Sequence, residues 1–328
     1  MTETRTSFGE THDIAITILV DNHADLLLKS SDTVKRLAGK PLLAEHGFAA
    51  LVDLRAAGLR ILCDAGLSRI ALLENMAHMQ IEPTSIDKIV LSHGHYDHVG
   101  AMTALLERMA LAPRRRRWDA ETPAETLRRY AAGGRMPLVA HPAAFRERWN
   151  ISQDGAKDGP MIVPRALWEA LGAEIVLSEG PYPLGPGCWM TGAVPRLSFE
   201  HAGTPATRYY REGDVFHQDI LDDDQAIVLN ITGKGLVILS GCAHSGIINT
   251  VAHARRISGV ERVWAVVGGF HLAPAGEDEI ERTIDELEQI APVMVVPTHC
   301  TGVKAVARFV ERMPGAFVPC AVGTTFLF

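Results

Sequence analysis

Residues 91–100 read LSHGHYDHVG, and three histidines and one aspartate fall within six of those positions. The cluster begins where IDKIVLS (86–92), which has the length and composition of a short buried strand, ends. A strand end has no structural need for this cluster, since aspartate is a poor strand former and histidine a modest one. Neutral imidazoles and a carboxylate packed this closely suit zinc and similar first-row metals. From an extended segment His93 and His95 point the same way, and Gly94 between them lets the backbone turn tightly around an ion. Asp97 and His98 come one short turn later and would face a second ion. One loop can therefore seed two adjacent metals, the arrangement that clamps the attacking and leaving oxygens of a displacement.

The flanking sequence alternates strands and helices. IAITILVDN (14–22) reads as a buried strand, and FAALVDLRAAGLRILCDAG (48–66) as a hairpin turning at AAG. A helical pattern over 68–79 precedes the histidine loop, and an amphipathic helix over 101–111 follows it. The same order recurs later: a hairpin over 225–241 turning at TGKG, a helix at 246–257, a strand at 262–269, a helix at 277–290, a strand at 293–297 and a helix at 303–313, then AFVP and VGTTFLF. Two such halves imply an α/β fold of two sheets packed face to face with helices outside. Residues 112–224 between them are dense in Gly and Pro and include the basic run RRRRW (114–118), which reads as a solvated segment or, near a site, an attractor for phosphate. Short elements are expected there at 137–140, 165–173 and 174–178. The expectation is a single domain over 1–328, with an irregular insertion or lid at about 112–224.

With 328 residues, 47% of them hydrophobic, the chain can bury a large core. A net charge of −7 gives no nucleic-acid signature, and no apolar run approaches the roughly twenty residues of a membrane span. The polar start MTETRTSFGETHD does not read as a signal peptide. Five scattered cysteines argue against a disulfide framework and for a reducing, cytoplasmic setting.

His-x-His-x-Asp-His after a short strand, preceded by a hairpin ending in CDAG, resembles the signature of the metallo-β-lactamase superfamily. ILVDN, AEHGFAALVD, LSHGHYDHVGA, LDDDQAIVLN, SGCAHSGIINTV, GGFHL and PTHCTG are similar to the branch of 7,8-dihydropterin-6-methyl-4-(β-D-ribofuranosyl)aminobenzene 5′-phosphate synthases, most of whose members are described only as metal-dependent hydrolases. The resemblance spans nearly the whole chain. It implies an αββα sandwich of two mixed sheets with a dinuclear site at one edge. It implies that Asp64 buttresses a metal-binding histidine. The sequence departs from the superfamily in two places. LDDDQA carries no histidine where one is expected, His217 lying too early, and Cys242 stands where a bridging aspartate is usual. A thiolate can bind zinc, so Cys242 can take the carboxylate's place, and His244 can supply the missing donor; as an alternative, Cys242 is small buried core. His299 has the spacing from Cys242 expected of the last ligand. His271 is either a ligand or a group that binds substrate and donates a proton.

The expected metal set is His93, His95, Asp97, His98, Cys242, His244 and His299, with Asp97 and His271 acting in catalysis. Glu200, Pro195 and Arg196 match the named branch as pocket residues, and the amides opening the helix after Cys242 could bind an anion. His12, His23, His46, His78, His141, His201, His217 and His253 are expected to be structural or surface residues. The expected ions are one or two zinc, with manganese or iron as alternatives. They would lower the pKa of water and polarise an ester or phosphoryl oxygen. The expected partner is a small anionic or phosphorylated molecule, hydrolysed or, in the synthase reading, joined to a pterin diphosphate. No nucleic-acid or membrane partner is expected; whether the chain is a monomer or a homodimer stays open. The alternatives are a metal-bearing ligand-binding or sensor protein with little turnover and, more weakly, a redox role for Cys242.

Overall fold

The structure, a computed structural model, describes residues 8–37, 39–111, 134–203 and 205–328. Two sheets face each other. The first runs β2 (Val34–Arg36), β18 (Thr324–Leu327), β1 (Ile14–Val20), β3 (Ala49–Leu54), β4 (Leu59–Cys63), β5 (Lys88–Val90), β6 (Met136–Ala140), β9 (Ala173–Leu177). The second runs β10 (Tyr182–Gly185), β11 (Cys188–Met190), β14 (Ala226–Ile231), β15 (Gly235–Ser240), β16 (Val263–Gly269), β17 (Met294–Thr298). Both are mixed: β4, β5, β6 and β9 pair in parallel, as do β15, β16 and β17, and the remaining pairs are antiparallel.

Alternation places the two faces of each strand in different cores. On β1, Ile14, Ile16 and Ile18 join Val52, Ile61, Ile227, Leu239 and Val267 between the sheets. Leu19 and, past a register shift between Ile18 and Val20, Val20 as well pack with Leu72 and Met76 of α1 (Arg69–His78), Leu105 of α3 (Met102–Leu111) and Trp168 of α4 (Arg165–Ala170). Beneath the second sheet, Val228 and Ile238 meet Val251 of α5 (Ile247–Ser258), Ile284 of α6 (Glu277–Ile290) and Phe309 of α7 (Val303–Arg312). The layers are therefore αββα. Strands covered on both faces need apolar residues at nearly every position, which is why the central strands read as continuous apolar runs. Among the described residues, no helix is long and apolar enough to cross a membrane.

The stretch expected to be irregular contributes more order than its composition suggests. Its described part supplies β6 and β9 to the first sheet and β10 and β11 to the second. It also builds a third sheet, β13 (Val215–Gln218), β12 (Arg208–Glu212), β7 (Glu147–Ile151), β8 (Lys157–Met161). KDGPM in β8 holds a glycine, a proline and an aspartate, all poor strand residues, and is tolerated because β8 is an edge. The basic run 114–118 lies outside the described residues. AFVP forms no strand; Phe317 makes only an isolated bridge to Val295.

Strands β4, β5, β15, β16 and β17 all end at one rim of the sandwich. Beyond them lie Asp64, the histidine loop, Cys242, His271 and His299 in that order. Asp64, Ala243, His271 and His299 all adopt a left-handed backbone there. Such conformations cost roughly 1–3 kcal/mol each and collect where the surrounding structure needs a side chain aimed in one direction.

Candidate metal centre

The histidine loop leaves β5, and a single helical turn, α2 (Tyr96–Val99), folds it back so that Asp97 and His98 lie beside His93. Gly94 has no positive φ, so a tight turn is not its reason. A Cβ there would lie 2.2 Å from the Ala144 carbonyl oxygen and 2.6 Å from Arg148 Nη1, and only glycine permits that approach.

The hydrogen bonds assign each imidazole proton. Asp64 is fully buried and accepts from Ser92 N (2.7 Å), Ser92 Oγ (2.6 Å) and His98 Nδ1 (2.7 Å). With its proton committed to Asp64, Ser92 Oγ accepts from His93 Nδ1 at 3.0 Å. His244 Nδ1 donates to the Gly203 carbonyl at 2.8 Å. His299 Nδ1 donates to Asn22 Oδ1 at 3.0 Å, and Asn22 Nδ2, donating to the His299 carbonyl, fixes the orientation of that amide. In all four rings Nδ1 carries the proton and Nε2 points inward. This is how buttressed metal-binding histidines are held.

What the four Nε2 atoms face is the test of fit. His93 Nε2 and His244 Nε2 lie 3.2 Å apart, two lone pairs directed at each other. His98 Nε2 and His299 Nε2 lie 3.0 and 3.4 Å from Cys242 Sγ, and 3.6 and 3.4 Å from Asp97 Oδ2. The donors fall into two compact groups, His93–Cys242–His244 and Asp97–His98–Cys242–His299, sharing Cys242. His95 stands beside the first, its ring 4.6 Å from that of His93 and 4.9 Å from that of His244, with Nε2 buried and unpartnered. Opposed lone pairs, an orphaned buried nitrogen and a shared sulfur make a donor set that suits two cations.

The electrostatics agree. Burial, aided by neighbouring histidines, holds His93 and His244 well below the usual imidazole range. Burial and the Arg148 charge bring His95 down to about 3. All three keep a free lone pair. Burial would lower His98 too, but Asp97 and Asp64 outweigh it and raise it to about 9, so this position favours a cation. For Asp97 burial would raise the pKa; His98 and His299 outweigh it and hold the carboxylate far below its ordinary range. Burial pushes the Cys242 thiol up.

All seven expected donors and Asp64 therefore meet at one place. Several neighbours were not foreseen. Cys300 forms a third group with Cys242 and His271. A Cβ on Gly269 would lie 2.4 Å from the Gly241 carbonyl oxygen and 2.7 Å from the Cys300 sulfur, and the two together account for the glycine. Asp21 accepts from Thr298 Oγ1 (2.5 Å) and His299 N (3.0 Å), so ILVDN anchors the His299 loop. His46, expected to be structural, has Nε2 3.4 Å from Asp97 Oδ2 and its ring 5.2 Å from that of His299. In LDDDQA, Asp223 accepts from Gly94 N and Arg148 Nη2, and Asp224 from Ser245 N; the run braces both donor loops without supplying a donor. His217 lies away from the cluster, stacked on Tyr210.

Two expectations are corrected. Glu200 does not line the cavity; it is buried and accepts from the amides of Ile248 and Asn249 (3.0 Å each). It thereby takes two of the amides that were expected to bind an external anion. Arg196 also lies behind the site, donating to the His244 carbonyl.

The donors open into a cavity of about 760 Å³, whose far side includes Arg148, Trp149, Asn150, Asp158 and Arg208 of the third sheet. His271 lines it, its ring 4.1 Å from that of His244, with Nδ1 buried and unpartnered. Burial would lower its pKa, but hydrogen bonding and charge at the Cys300 sulfur, with nearby acids, outweigh that and raise it.

The profile of the beta-lactamase superfamily domain matches residues 59–157, the segment from β4 through the histidine loop into the third sheet. A protein of Methanocaldococcus jannaschii named 7,8-dihydropterin-6-methyl-4-(beta-D-ribofuranosyl)-aminobenzene-5′-phosphate synthase is 30% identical over 294 residues, covering 88% of this chain and 92% of the relative. The chain belongs to the metallo-β-lactamase superfamily. Within it, it resembles the synthase branch. A second M. jannaschii protein, the uncharacterized MJ0448, is 28% identical over 84% of this chain and 91% of its own. The superfamily fold is seen again in the solved structure of Tm1679, a metal-dependent hydrolase of the beta-lactamase superfamily. It has a TM-score of 0.69 and 22% identity over 95% of this chain and 98% of that one. YhfI from Bacillus subtilis, a metallo-beta-lactamase fold protein, gives 0.50 and 10% over 97% and 100%.

Proposed function

We propose that this metallo-β-lactamase superfamily member is a two-metal enzyme acting on a small phosphorylated substrate, by a transfer of the kind named for its M. jannaschii relative. The observation that carries the reading is the set of four imidazoles whose Nδ1–H groups are each tied to a fixed acceptor, leaving four Nε2 atoms around Cys242 Sγ.

His93, His95 and His244 would hold one ion, and Asp97, His98 and His299 the other, with Cys242 between them. Ions held there, zinc by default for this donor set, would supply Lewis acidity to an ester or phosphoryl oxygen. The chain's own residues do the rest. Asp64, Ser92, Gly203 and Asn22 orient the imidazoles. His271, on the cavity wall with a raised pKa and a free Nδ1, delivers a proton to the leaving group or binds a developing oxyanion. The third sheet closes the far side of the cavity as the substrate-selecting wall.

The test incubates metal-loaded protein with a dihydropterin methyl diphosphate and ribofuranosylaminobenzene 5′-phosphate, following the joined product and pyrophosphate by mass spectrometry. Joined product supports the transfer. Phosphoester or diphosphate cleavage without joining would replace it with hydrolysis. Tight binding of either compound without turnover would favour the sensor reading.

A further inference from the structure

Among the described residues, the third sheet carries one arginine with no carboxylate partner. Arg208 begins β12, is half-buried and lines the cavity. Strand register sets Arg208 opposite Asn150 on β7, and Asn150 opposite Asp158 on β8. Directly opposed residues share a face, so these three form one row, and all three line the cavity. The other arginines of this sheet are paired. Arg148 donates to Asp219 and Asp223 at 2.6 Å each, and Arg211 lies 2.6 Å from Glu147. Arg146, next to β7, lies 2.9 Å from Asp222. Among the described residues, Arg208 alone of these four has no carboxylate within ion-pair distance. The acid in its own row, Asp158, is two strands away, about 10 Å at ordinary strand spacing, and is exposed.

Half-burying an unpaired guanidinium costs solvation that no protein group returns. An anion entering the cavity would return it. A planar guanidinium fork matches the tetrahedral oxygens of a phosphoryl group better than any other side chain does.

We propose that Arg208 is a specificity-determining residue that binds the phosphate of a sugar-phosphate substrate and sets the preference for phosphorylated over unphosphorylated molecules. This rests on the reading of the cavity as a substrate site. It extends that reading by assigning the phosphate to one side chain on the wall facing the metals, rather than to the metals themselves.

The test is isothermal titration of the purified, metal-loaded protein with ribose 5-phosphate and with ribose, repeated for Arg208→Ala, Arg208→Lys and Asp158→Asn. Metal content and thermal midpoint are measured on each variant. Wild type is expected to bind ribose 5-phosphate in preference to ribose. Arg208→Ala should weaken ribose 5-phosphate about 10–100-fold, the range for losing a charge-assisted hydrogen-bonded contact. Ribose binding and metal content should stay as they were. Arg208→Lys should recover part of the loss, and Asp158→Asn should not weaken binding at all. Three results would overturn the proposal: unchanged ribose 5-phosphate binding in Arg208→Ala, an equal loss for both sugars, or a wild type that binds ribose 5-phosphate no better than ribose at millimolar concentration. Because these readouts need no turnover, an inactive protein whose sugar-phosphate binding still depends on Arg208 would sink the enzymatic reading and leave this one standing.

Discussion

Replacing Asp64 by Asn exchanges one oxygen for an NH₂ group, yet it should undo half of the metal centre. Asn tolerates the left-handed backbone found at Asp64 (φ 60°) and has the same shape, so the fold is retained. The chemistry changes. Asp64 Oδ2 accepts from both Ser92 Oγ (2.6 Å) and His98 Nδ1 (2.7 Å), and Oδ1 accepts from Ser92 N (2.7 Å). Asn has only one acceptor oxygen for these three donors. With that oxygen kept on the Ser92 amide, the new NH₂ meets His98 Nδ1, and even the neutral imidazole, the form that must bind an ion, has to keep its one proton on Nε2. That nitrogen lies 3.0 Å from Cys242 Sγ, so the proton occupies the position meant for an ion. Removing such an outer partner typically weakens metal binding about 10–100-fold, or roughly 1.4–2.7 kcal/mol. Competition against a chromogenic chelator measures the metal affinity of wild type and Asp64→Asn, with thermal melting as the check on folding. A folded variant with wild-type affinity would refute the tautomer argument.

Other expectations follow from the same geometry. Cys242→Ala should lower metal affinity while Cys242→Asp, placing a carboxylate at the shared position, retains it; if Cys242 only fills the core, chelator titration will show the Ala variant normal and melting will show the Asp variant destabilised by a buried charge. His299→Ala should lose metal and activity together, whereas His271→Ala should keep its metal and lose turnover, about 10²–10⁴-fold for a lost general acid; metal loss confined to the His271 variant would exchange the two roles. Metal affinity should rise with pH. His98, with its pKa near 9, and the Cys242 thiol, pushed up by burial, both hold protons at neutral pH that an ion must displace. Affinity should therefore fall steadily as the solution is acidified from about pH 9, and a pH-indicator dye should register proton release on metal addition.

The two-sheet architecture was readable because strands buried on both faces advertise themselves as apolar runs, as in ILVDN and VMVVP. The third sheet was not. ERWNI, KDGPM, RYYRE and VFHQ cover one wall of a cavity rather than a core, so no apolar alternation marks them. The donors of LSHGHYDH were legible because their spacing is local. Cys242, His244 and His299 needed the superfamily resemblance, since only the fold brings them within reach of His93 and His98. Cys300 has no spacing of its own to mark it, and only the fold brings it to Cys242 and His271. His46 stands alone in the sequence, and only the fold sets it beside Asp97 and His299. Glu200 is expected in the pocket only from the branch resemblance, and nothing in RLSFEH separates a pocket carboxylate from one that caps a helix distant in sequence. Only the amides of Ile248 and Asn249 decide for the cap.

Elemental analysis after loading with zinc, iron or manganese and gel filtration tests the central claim most directly. Two ions per chain are predicted for wild type, with most of that content lost in a folded His95→Ala/His98→Ala double variant. A wild-type chain that retains no metal, or a double variant that retains all of it, would contradict the account.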